Sequence, residues 1–378
     1  MKAVIPSGDL STLLKIGSSP FKHDPIKDPD NTGYGRIALS GGRLFVESSS
    51  MTMTAKAVGD ATGEDGYCCL QLDILADMLK VMPAGEDAVL ETSDSKLKLK
   101  VGKSKCSFAC LRDDTIAPLG SPSQDLPSFK ISLEALNGAI SAAAVSGEPN
   151  DADGIRSNVL LEVVDKTLMA VGTDNIRCSI VPVEGKCETE FRGTVSIKGA
   201  KALKTLECSE VSVATLGESI VFLDGSGGFI QFQQSEAALK GFPDFRPILT
   251  VPYIDELKMS TERFTTVIAG ANKINPQECT MVVEDGEVTV VNTRPEDGTE
   301  YRGVAAYEGT PGYDLKVGLC PLLLIDYLRT LKSDSLSLFF SPDRNTTTGS
   351  PGHVMIRDEY GSSFFVKSLV CLVDMPKK

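Results

Sequence analysis

The sequence predicts an α+β fold of three tandem repeats, each with two helices packed on antiparallel sheets. Helical periodicity opens at residues 9 and 72, then at 132 and 197, then at 260 and 321, so the spacing within each pair stays between 61 and 65 residues. Segments of alternating apolar and polar residues lie between and after the paired helices, as in half-buried strands. Repetition at a fixed spacing indicates one structural unit used several times.

Six helices are predicted from apolar residues at helical spacing. In the third window, Leu133, Leu136 and Ile140 fall on one face, which can pack on a sheet. Ser132 and Ser260 stand where N-caps belong. The predicted windows are 9–18, 72–82, 132–146, 197–207, 260–274 and 321–332.

The strands are predicted from alternation, with turn residues between them. Asp224-Gly225, Gly227-Gly228, Asp285-Gly286 and Asp297-Gly298 are typical of tight turns between antiparallel strands. Strand segments between the paired helices are 43–46, 167–171 and 287–291. Those after the second helix are 88–90, 97–101, 211–213, 220–222, 229–232, 336–340 and 353–356.

Two stretches rich in Pro and Gly indicate linkers, at 120–123 and near 247–252. With 378 residues the chain is too long for one hydrophobic core. We therefore predict three domains, at 1–124, 125–249 and 250–378.

Composition indicates a soluble, cytoplasmic protein. Hydrophobic residues make up 42% and charged residues 24% of the chain, which is usual for globular proteins. The N-terminus has no apolar signal segment, and the longest apolar run, 319–325, is too short to span a bilayer, so no membrane partner is expected. The ten cysteines show no metal-binding spacing and are expected to be reduced.

The net charge of −13 argues against a surface that coats nucleic acid. The charge is unevenly distributed, however. The six helix windows together carry +2, so the remaining residues carry −15. The helices are thus mildly basic, and the strands and loops carry the acid.

The sequence offers little to an enzyme. It has two histidines, and neither a phosphate-binding loop nor a dinucleotide-binding glycine motif is present. Asp151-Ala152-Asp153-Gly154 hints at a calcium loop, but Pro149 and Leu160 occupy ligand positions. We expect no catalytic residue, no metal and no cofactor. If the protein were an enzyme, a hydrolase that uses a pair of carboxylates would be the expected class.

Two local motifs carry a resemblance to a known family. Gly241-Phe242-Pro243-Asp244-Phe245-Arg246 resembles the F-P-D-Y-R segment that ends the second domain of the bacterial DNA sliding clamp, the β subunit of the replicative polymerase holoenzyme. Val171-Gly172-Thr173-Asp174-Asn175-Ile176-Arg177 resembles the clamp's A-T-D-G-H-R strand end. Together with length and repeat order, they identify the chain as a divergent member.

The resemblance implies a head-to-tail homodimer, a ring of six domains that encircles double-stranded DNA regardless of sequence and acts as a processivity factor in DNA replication. Helices would line the pore of a nucleoid-associated ring. Lys198, Lys201 and Lys204 form the clearest basic stripe, although ordinary solvated helix faces would explain any single residue equally well. The candidate pore residues are Lys15, Lys80, Lys198, Lys201, Lys204, Arg263, Lys273, Arg329 and Lys332.

The resemblance also implies a pocket between domains two and three that binds peptides of the replicative DNA polymerase, the clamp loader and repair proteins. Pro243 and Ile248 could instead serve only as linker residues. The candidate pocket residues are Thr173, Asn175, Ile176, Arg177, Cys178, Pro243, Arg246, Pro247, Ile248, Leu369, Val370, Met375 and Pro376. The last four represent two alternatives, because a gapless alignment brings 367–370 to the pocket and a gapped one brings Met375-Pro376.

The chain departs from the family at some of these places. Asn175-Ile176 replaces the Gly-His pair, which makes the pocket wall bulkier and less polar, and segment 21–35 is unlike the family's short turn. Ring closure needs free sheet edges, for which 96–101 with 106–111, and 272–276, are the candidates. The alternative function is a clamp-like scaffold or decoy that binds replication proteins as a monomer without encircling DNA.

Overall fold

One order of elements occurs three times along the chain: a strand, a helix, four strands, a second helix and three strands. The computed structural model describes residues 1–23, 33–93, 95–111, 116–123, 126–151, 154–309, 315–342 and 352–367. The predicted repetition is present in this order of elements, and the α+β class is confirmed.

The first repeat adds a short helix, α2, and a short strand, β5, to the common order. Its elements are β1 Lys2–Pro6, α1 Ser7–Gly17, α2 Ser19–His23, β2 Tyr34–Ser40, β3 Arg43–Ser49, β4 Met53–Asp60, β5 Thr62–Glu64, β6 Gly66–Gln71, α3 Leu72–Lys80, β7 Asp87–Ser93, β8 Lys96–Val101 and β9 Ser104–Ala109.

The second repeat has a 3₁₀ helix, Gly199–Thr205, as its second helix, and two short helices follow its last strand. Its other elements are β10 Ser128–Ser132, α4 Leu133–Ala144, β11 Asn158–Val164, β12 Thr167–Thr173, β13 Arg177–Pro182, β14 Arg192–Ser196, β15 Glu210–Leu216, β16 Ser219–Leu223, β17 Phe229–Gln233, α5 Glu236–Gly241 and α6 Arg246–Leu249.

The third repeat follows the common order without additions in the described residues. Its elements are β18 Ile254–Ser260, α7 Thr261–Ile274, β19 Cys279–Glu284, β20 Glu287–Thr293, β21 Glu300–Ala306, β22 Leu315–Leu319, α8 Pro321–Leu328, β23 Ser335–Phe340, β24 His353–Asp358 and β25 Ser363–Lys367.

Local sequence signals explain where these elements begin and turn. The Ser132 and Ser260 hydroxyls accept the backbone N–H groups of Ala135 and Arg263, each at 3.3 Å, so both predicted N-caps are present. Asp285 and Gly286 both have positive φ, at 49° and 79°, as a two-residue hairpin turn between β19 and β20 requires.

The second helix of the second repeat differs from its prediction. The window 197–207 contains the 3₁₀ helix rather than an α-helix, and Ser196 Oγ accepts the N–H of Gly199 at 3.0 Å where it begins. Side chains three residues apart eclipse one another in a 3₁₀ helix. Lys201 and Lys204, together with Lys198 just before the helix, therefore lie in a straighter row than an α-helix would give.

The chain forms two compact units. Unit 1 holds Met1–Asn137, Leu161–Leu168 and Glu184–Lys240. Unit 2 holds Gly138–Leu160, Met169–Val183 and Gly241–Lys378. The three domain limits drawn from the sequence stay a prediction.

Unit 1 contains a five-stranded sheet in the order β5-β1-β7-β8-β9 and an eight-stranded sheet in the order β10-β15-β16-β17-β4-β3-β2-β6. In the second sheet, the last strand of repeat two, β17, pairs with β4 of repeat one, with Ile230 opposite Ala55. We call this pairing the first seam. α1 packs against β4, α3 and the 3₁₀ helix, and buries Leu10 and Leu14.

Unit 2 contains a four-stranded sheet in the order β21-β20-β19-β22. A second set of paired strands runs β12-β13-β25-β24-β23-β18. Here the last strand of repeat three, β25, pairs with β13 of repeat two, with Cys178 opposite Phe365. We call this pairing the second seam. α7 packs against α8, and Phe264 and Leu324 lie in the shared core.

The sheet edges correct one prediction and refine another. Residues 272–274 belong to α7, so segment 272–276 is not an edge strand, and β21 ends the four-stranded sheet instead. At the end of the five-stranded sheet, β8 is internal and β9 is the edge.

The described cysteines are all free thiols. Five of the nine are buried: Cys68, Cys69, Cys187, Cys279 and Cys320. Cys371 lies outside the described residues.

A buried ion network holds the first linker against unit 1. Glu47 Oε1 lies 3.0 Å from Lys56 Nζ, and their side chains are 3% and 9% exposed. Lys56 also donates to the carbonyl oxygen of Leu119 at 3.0 Å, and the N–H of Leu119 donates to Glu47 at 3.2 Å. Arg36 Nη1 lies 3.4 Å from Glu47 Oε2. The buried charges of Glu47 and Lys56 thus pair with each other and also satisfy the backbone N–H and carbonyl oxygen of Leu119.

We predict that Glu47→Ala destabilises the protein by about 3–5 kcal/mol, because it leaves Lys56 buried without its counter-charge. Urea unfolding followed by circular dichroism measures the loss. The matched control is Lys166→Ala, since Lys166 pairs with Glu188 where both side chains are exposed, and we expect no measurable change. Equal midpoints for the Glu47→Ala and Lys166→Ala proteins would contradict the structural role of the network.

Candidate functional site

An apolar cavity of about 260 Å³ lies in unit 2 along the second seam. Its wall is shared by the end of β12, the turn into β13, the segment 242–248, and strands β24 and β25. The lining residues are Val171, Thr173, Asn175, Ile176, Arg177, Cys178, Phe242, Pro243, Asp244, Phe245, Ile248, His353, Phe365 and Val366.

The turn between β12 and β13 forms a fixed rim. Thr173 Oγ1 donates to the carbonyl oxygen of Arg177 at 2.8 Å and accepts the N–H of Asn175 at 3.1 Å. Asp174 Oδ1 accepts the N–H groups of Ile176 and Arg177 at 2.9 and 2.8 Å. Asn175 adopts φ 70°, a left-handed conformation that Asn tolerates better than most residues. The turn presents Ile176, 50% exposed, at the cavity mouth.

Close packing below this rim requires a glycine. A Cβ on Gly172 would lie 2.0 Å from the carbonyl oxygen of Ala143 in α4. β12 can therefore approach the helix only without a side chain at this position. On the neighbouring strand, Ser179 lies directly opposite Gly172, and its Oγ hydrogen-bonds Ser146 Oγ at 2.6 Å, which fixes β13 against the end of the same helix.

The ionisable groups nearest the cavity floor are neutral or paired. Arg177 Nε lies 2.9 Å from Asp174 Oδ2, and Arg177 Nη1 donates to the carbonyl oxygen of Leu323 at 3.3 Å. Burial, and then the negative charge of Asp174, raise the pKa of the Cys178 thiol to about 12, so the thiol is protonated at neutral pH. The cavity consequently offers apolar surface rather than a net charge.

The segment 242–248 supplies the opposite wall. Phe242 and Phe245 are buried, whereas Pro243 and Asp244 are exposed at the mouth. Asp244 Oδ1 accepts the N–H of Arg246 at 3.1 Å, and this bond orients the start of α6. α6 places Ile248, which is half-buried, against the cavity.

His353 is held in the cavity wall by an aromatic neighbour. Tyr253 Oη and His353 Nε2 share a hydrogen bond of 2.7 Å, and the two rings meet edge to face. The Tyr253 ring also contacts the Phe365 ring, with centroids 5.9 Å apart. Burial is the main cause that raises the pKa of Tyr253, so its hydroxyl stays protonated.

The structure brings seven predicted pocket residues together around this cavity: Thr173, Asn175, Ile176, Arg177, Cys178, Pro243 and Ile248. Arg246 and Pro247 are exposed beside it without lining it. Leu369, Val370, Met375 and Pro376 lie outside the described residues. For all thirteen candidate pocket residues, a role in peptide binding stays a prediction.

Several lining residues were missed. Phe242, Asp244 and Phe245 stand inside the same six-residue motif as Pro243, so the motif itself was the available signal. Phe365 and Val366 belong to β25, whose last residue, Lys367, begins the segment that the gapless alignment brought to the pocket. His353 had no signal, because only the pairing of β24 with β25 brings it to the cavity.

The predicted basic residues divide between the units. In unit 1, Lys15 lies on α1 and Lys80 ends α3. Lys198 precedes the 3₁₀ helix, and Lys201 and Lys204 lie in it. In unit 2, Arg263 and Lys273 lie on α7, and Arg329 and Lys332 follow α8. All are exposed except the half-buried Lys198.

Lys80 and Arg263 have close partners. Lys80 Nζ lies 2.7 Å from Asp77 Oδ1. Arg263 Nε donates to the carbonyl oxygen of Val304 in β21 at 2.8 Å. These contacts leave the charges of Lys80 and Arg263 less available to a ligand.

Among the described residues, no three His, Cys, Asp or Glu side chains are grouped so that they could hold a metal ion. Within the same residues, we find no helix with both the length and the apolar character needed to cross a membrane.

Solved structures share this fold over almost the whole chain. The DNA polymerase III β subunit of Pseudomonas aeruginosa matches with a TM-score of 0.84 at 16% identity, covering 98% of this chain and 100% of that one. The β subunit of Thermotoga maritima matches with a TM-score of 0.83 at 14% identity, covering 98% and 99%.

The chain has the fold of the bacterial sliding clamp.

A third structure carries a bound ligand. The Helicobacter pylori β clamp, bound to a DNA ligase peptide, matches with a TM-score of 0.82 at 16% identity, covering 98% of this chain and 100% of that clamp. Comparison with protein-family models and with curated protein sequences finds no match. The similarity to these clamps is thus a similarity of fold, and the low sequence identity does not by itself establish a shared function.

We predict that Asp174→Ala costs about 1–3 kcal/mol of stability, because two backbone N–H groups lose their acceptor and Arg177 loses its counter-charge. Asp174→Asn is the matched variant, since its side-chain oxygen can still accept the two N–H groups. Thermal unfolding should rank wild type first, Asp174→Asn next and Asp174→Ala last. Equal loss in both variants would show that the charge, rather than the turn, matters.

Proposed function

We propose that the protein is a DNA polymerase processivity factor, a sliding clamp that encircles duplex DNA as a homodimeric ring and tethers replication and repair proteins through the cavity at the second seam. The observation that carries the proposal is the clamp fold over 98% of the chain. The apolar cavity in unit 2 supports the tethering role. The expected partners are duplex DNA, a replicative polymerase, a clamp loader and a second copy of the chain.

Ring closure is supported by a pairing rule that the two seams share. In each seam, the last strand of one repeat pairs with the third of the four consecutive strands in the preceding repeat: β17 with β4, and β25 with β13. The same rule would pair β9 with β21, and in the described residues each of these strands ends its sheet. We propose that β9 of one copy pairs with β21 of the next, which leaves neither edge exposed.

Side chains near these edges suit such a pairing. β8 presents exposed Lys96, Lys98 and Lys100, and β21 begins with exposed Glu300. Lysines beside one edge and a glutamate on the other favour association in one orientation.

DNA contact would rest on the basic helix residues. Lys201 and Lys204 are exposed and eclipsed on the 3₁₀ helix, in a chain whose net charge is −13. Each phosphate that a lysine neutralises adds sequence-independent, salt-sensitive attraction. A few such contacts allow sliding, and retention would come from the closed ring.

Tethering would use the cavity at the second seam. A peptide can place apolar anchors between the rim at Ile176 and the wall at Ile248, where the nearby charges are already paired. A tethered polymerase then meets the primer end at a high effective concentration.

The decisive experiment combines mass by light scattering with retention on DNA. We expect twice the chain mass, and after loader-assisted assembly we expect retention on nicked circular DNA but loss from the same DNA once linearised. Lys198, Lys201 and Lys204 changed together to Glu should leave the mass unchanged and reduce processive synthesis. A single-chain mass with no difference between circular and linear DNA would overturn the ring and favour the non-encircling binder.

Ile248→Asp tests the pocket. Burying a carboxylate against an apolar peptide anchor should raise the dissociation constant at least tenfold, which corresponds to about 1.4 kcal/mol. Calorimetry with a synthetic clamp-binding peptide of a polymerase measures this affinity. Leu249→Asp is the matched control, because Leu249 is exposed on the same short helix and does not line the cavity. Undiminished affinity in Ile248→Asp would place peptide binding elsewhere.

A further inference from the structure

Two thiols of unit 1, those of Cys68 and Cys110, lie where the edges of its two sheets meet. Cys68 lies on β6, the strand that ends the eight-stranded sheet. Cys110 follows the last residue of β9, the strand that ends the five-stranded sheet. Both are free thiols in the structure, and Cys68 is 3% exposed whereas Cys110 is half-buried.

Backbone hydrogen bonds hold the end of β9 against β6. The N–H of Cys110 donates to the carbonyl oxygen of Ser95 at 2.9 Å, which continues the attachment of β9 to β8. The N–H of Leu111 donates to the carbonyl oxygen of Cys69 at 2.8 Å, so the next residue is already bonded to β6. The chain thus passes from one sheet to the other within two residues, and Cys110 stands at the crossing.

Alternation along β9 directs the Cys110 side chain inward. Phe108 lies opposite Leu97, which is fully buried on the inner face of the five-stranded sheet. Successive side chains of a strand point to opposite faces, so the second residue after Phe108 returns to that inner face. There the thiol of Cys110 shares a hydrogen bond with the thiol of Cys68. The sulfur atoms of two different sheets are therefore neighbours.

The two thiols differ in access and in protonation. The pKa of the Cys68 thiol is raised first by its hydrogen bond to Cys110 and then by burial, so Cys68 keeps its proton at neutral pH. Cys110 is half-buried and is the sulfur that a small molecule in solvent can reach. A reagent from solvent consequently meets Cys110 first, and Cys68 can only respond second.

We propose that Cys68 and Cys110 form a redox-modification site, a dithiol that a low-molecular-weight disulfide such as glutathione disulfide converts into an intramolecular disulfide joining the two sheets of unit 1. Two thiols that hydrogen-bond each other need only a short approach of their sulfur atoms to reach the bond length of about 2.05 Å. The strands that carry them can stay in place.

The reaction consists of two thiol–disulfide exchanges. Cys110 loses its proton to solvent, and its thiolate attacks one sulfur of the small disulfide, which forms a mixed disulfide and releases one small thiolate. Cys68 then loses its proton to solvent, its sulfur attacks the sulfur of Cys110, and the second small thiolate leaves. Each released thiolate takes up a proton. The two cysteines are oxidised by two electrons, and the small disulfide is reduced to two thiols.

The neighbouring cysteines are placed less favourably for this reaction. Cys69 follows Cys68 on an extended strand, so its side chain points to the opposite face. Cys106 shares the inner face of β9 with Cys110, but four residues of extended strand separate them by roughly 13 Å. Disulfides usually join residues whose Cα atoms are about 4.4 to 6.8 Å apart. The pair Cys68 and Cys110 is therefore favoured over both alternatives.

The disulfide would stabilise unit 1. It closes a loop of about 40 residues that contains α3, β7, β8 and β9. A crosslink of this span restricts the unfolded chain, so the oxidised protein should resist unfolding more than the reduced protein. The bond also anchors the end of β9, for which β8 is the only neighbouring strand among the described residues.

Anchoring β9 has a consequence for the ring, and this part of the inference rests on the proposed function. In that function, β9 of one copy pairs with β21 of the next. A strand that is fixed at its end opens less often by local unfolding. Oxidised rings should therefore exchange subunits more slowly than reduced rings.

The first experiment maps the disulfide. The reduced full chain is incubated with glutathione disulfide, the remaining thiols are alkylated, and the peptides are analysed by mass spectrometry. We expect a disulfide between Cys68 and Cys110 that dithiothreitol reverses. A glutathione adduct that remains on Cys110, or pairing of Cys68 with another cysteine, would overturn the proposal.

Thermal unfolding measures the gain in stability. Oxidation should raise the midpoint of the wild-type protein by about 5 °C or more, and should leave that of Cys110→Ser unchanged. The matched control is Cys106→Ser, which removes another half-buried thiol from the inner face of β9 and should keep the full shift. Equal shifts in wild type and Cys110→Ser would show that the gain comes from a different modification.

Subunit exchange separates this site from the function proposed for the chain. Unlabelled and isotope-labelled proteins are mixed, and native mass spectrometry follows the mixed dimers. Slower exchange in oxidised wild type but not in oxidised Cys110→Ser supports the effect on β9, and equal rates contradict it. A mapped disulfide in a protein of single-chain mass would leave the redox site standing and overturn the ring. A ring of twice the chain mass that never forms this disulfide would do the reverse.

Discussion

Main-chain hydrogen bonding between the last strand of one repeat and the third strand of the repeat before it is the constraint on which the rest depends. β17 pairs with β4 in unit 1 and β25 pairs with β13 in unit 2, each by antiparallel register over at least four residues. These pairings extend two sheets across neighbouring repeats. The candidate cavity, the pinned linker and the free edges all follow from them.

The two seams share the same strand pairing but differ in how the linker that follows packs against them. At the first seam, Lys56 of β4 reaches Glu47 and the carbonyl oxygen of Leu119, so the following linker is drawn onto the sheet by buried charge. At the second seam, Cys178 of β13 stands where no ion network forms in the described residues, and the linker folds as α6 with Ile248 facing inward. The second seam retains an apolar cavity of about 260 Å³.

Sequence reasoning succeeded where the signal is local. Alternation in Lys96–Val101 places Leu97 and Leu99 inside and the lysines outside, as observed. Ser260 caps α7, and Asp285-Gly286 turns between strands, because capping and positive φ depend on the residue itself. The six helix positions and the order of the repeats were therefore predictable.

It failed where long-range pairing decides. His353 reaches the cavity only because β24 lies beside β25, and Tyr253 orients it from a linker. The 3₁₀ helix arises where Gly199 and Ser196 begin a tight turn that a periodicity of apolar residues does not distinguish from an α-helix. The edge strand β21 was missed because an edge position depends on which strands pair in the folded sheet, and the residues of the strand itself do not encode it.

The seams also bear on how far such a chain can drift in evolution. Backbone N–H and carbonyl groups make the pairing between repeats, and every residue except proline carries both. Substitution can then replace most side chains along β4, β13, β17 and β25 while register and pairing are inherited unchanged. A protein of this kind can keep its fold after most of its sequence similarity to relatives has been lost. The 14–16% identity at full-length coverage illustrates this.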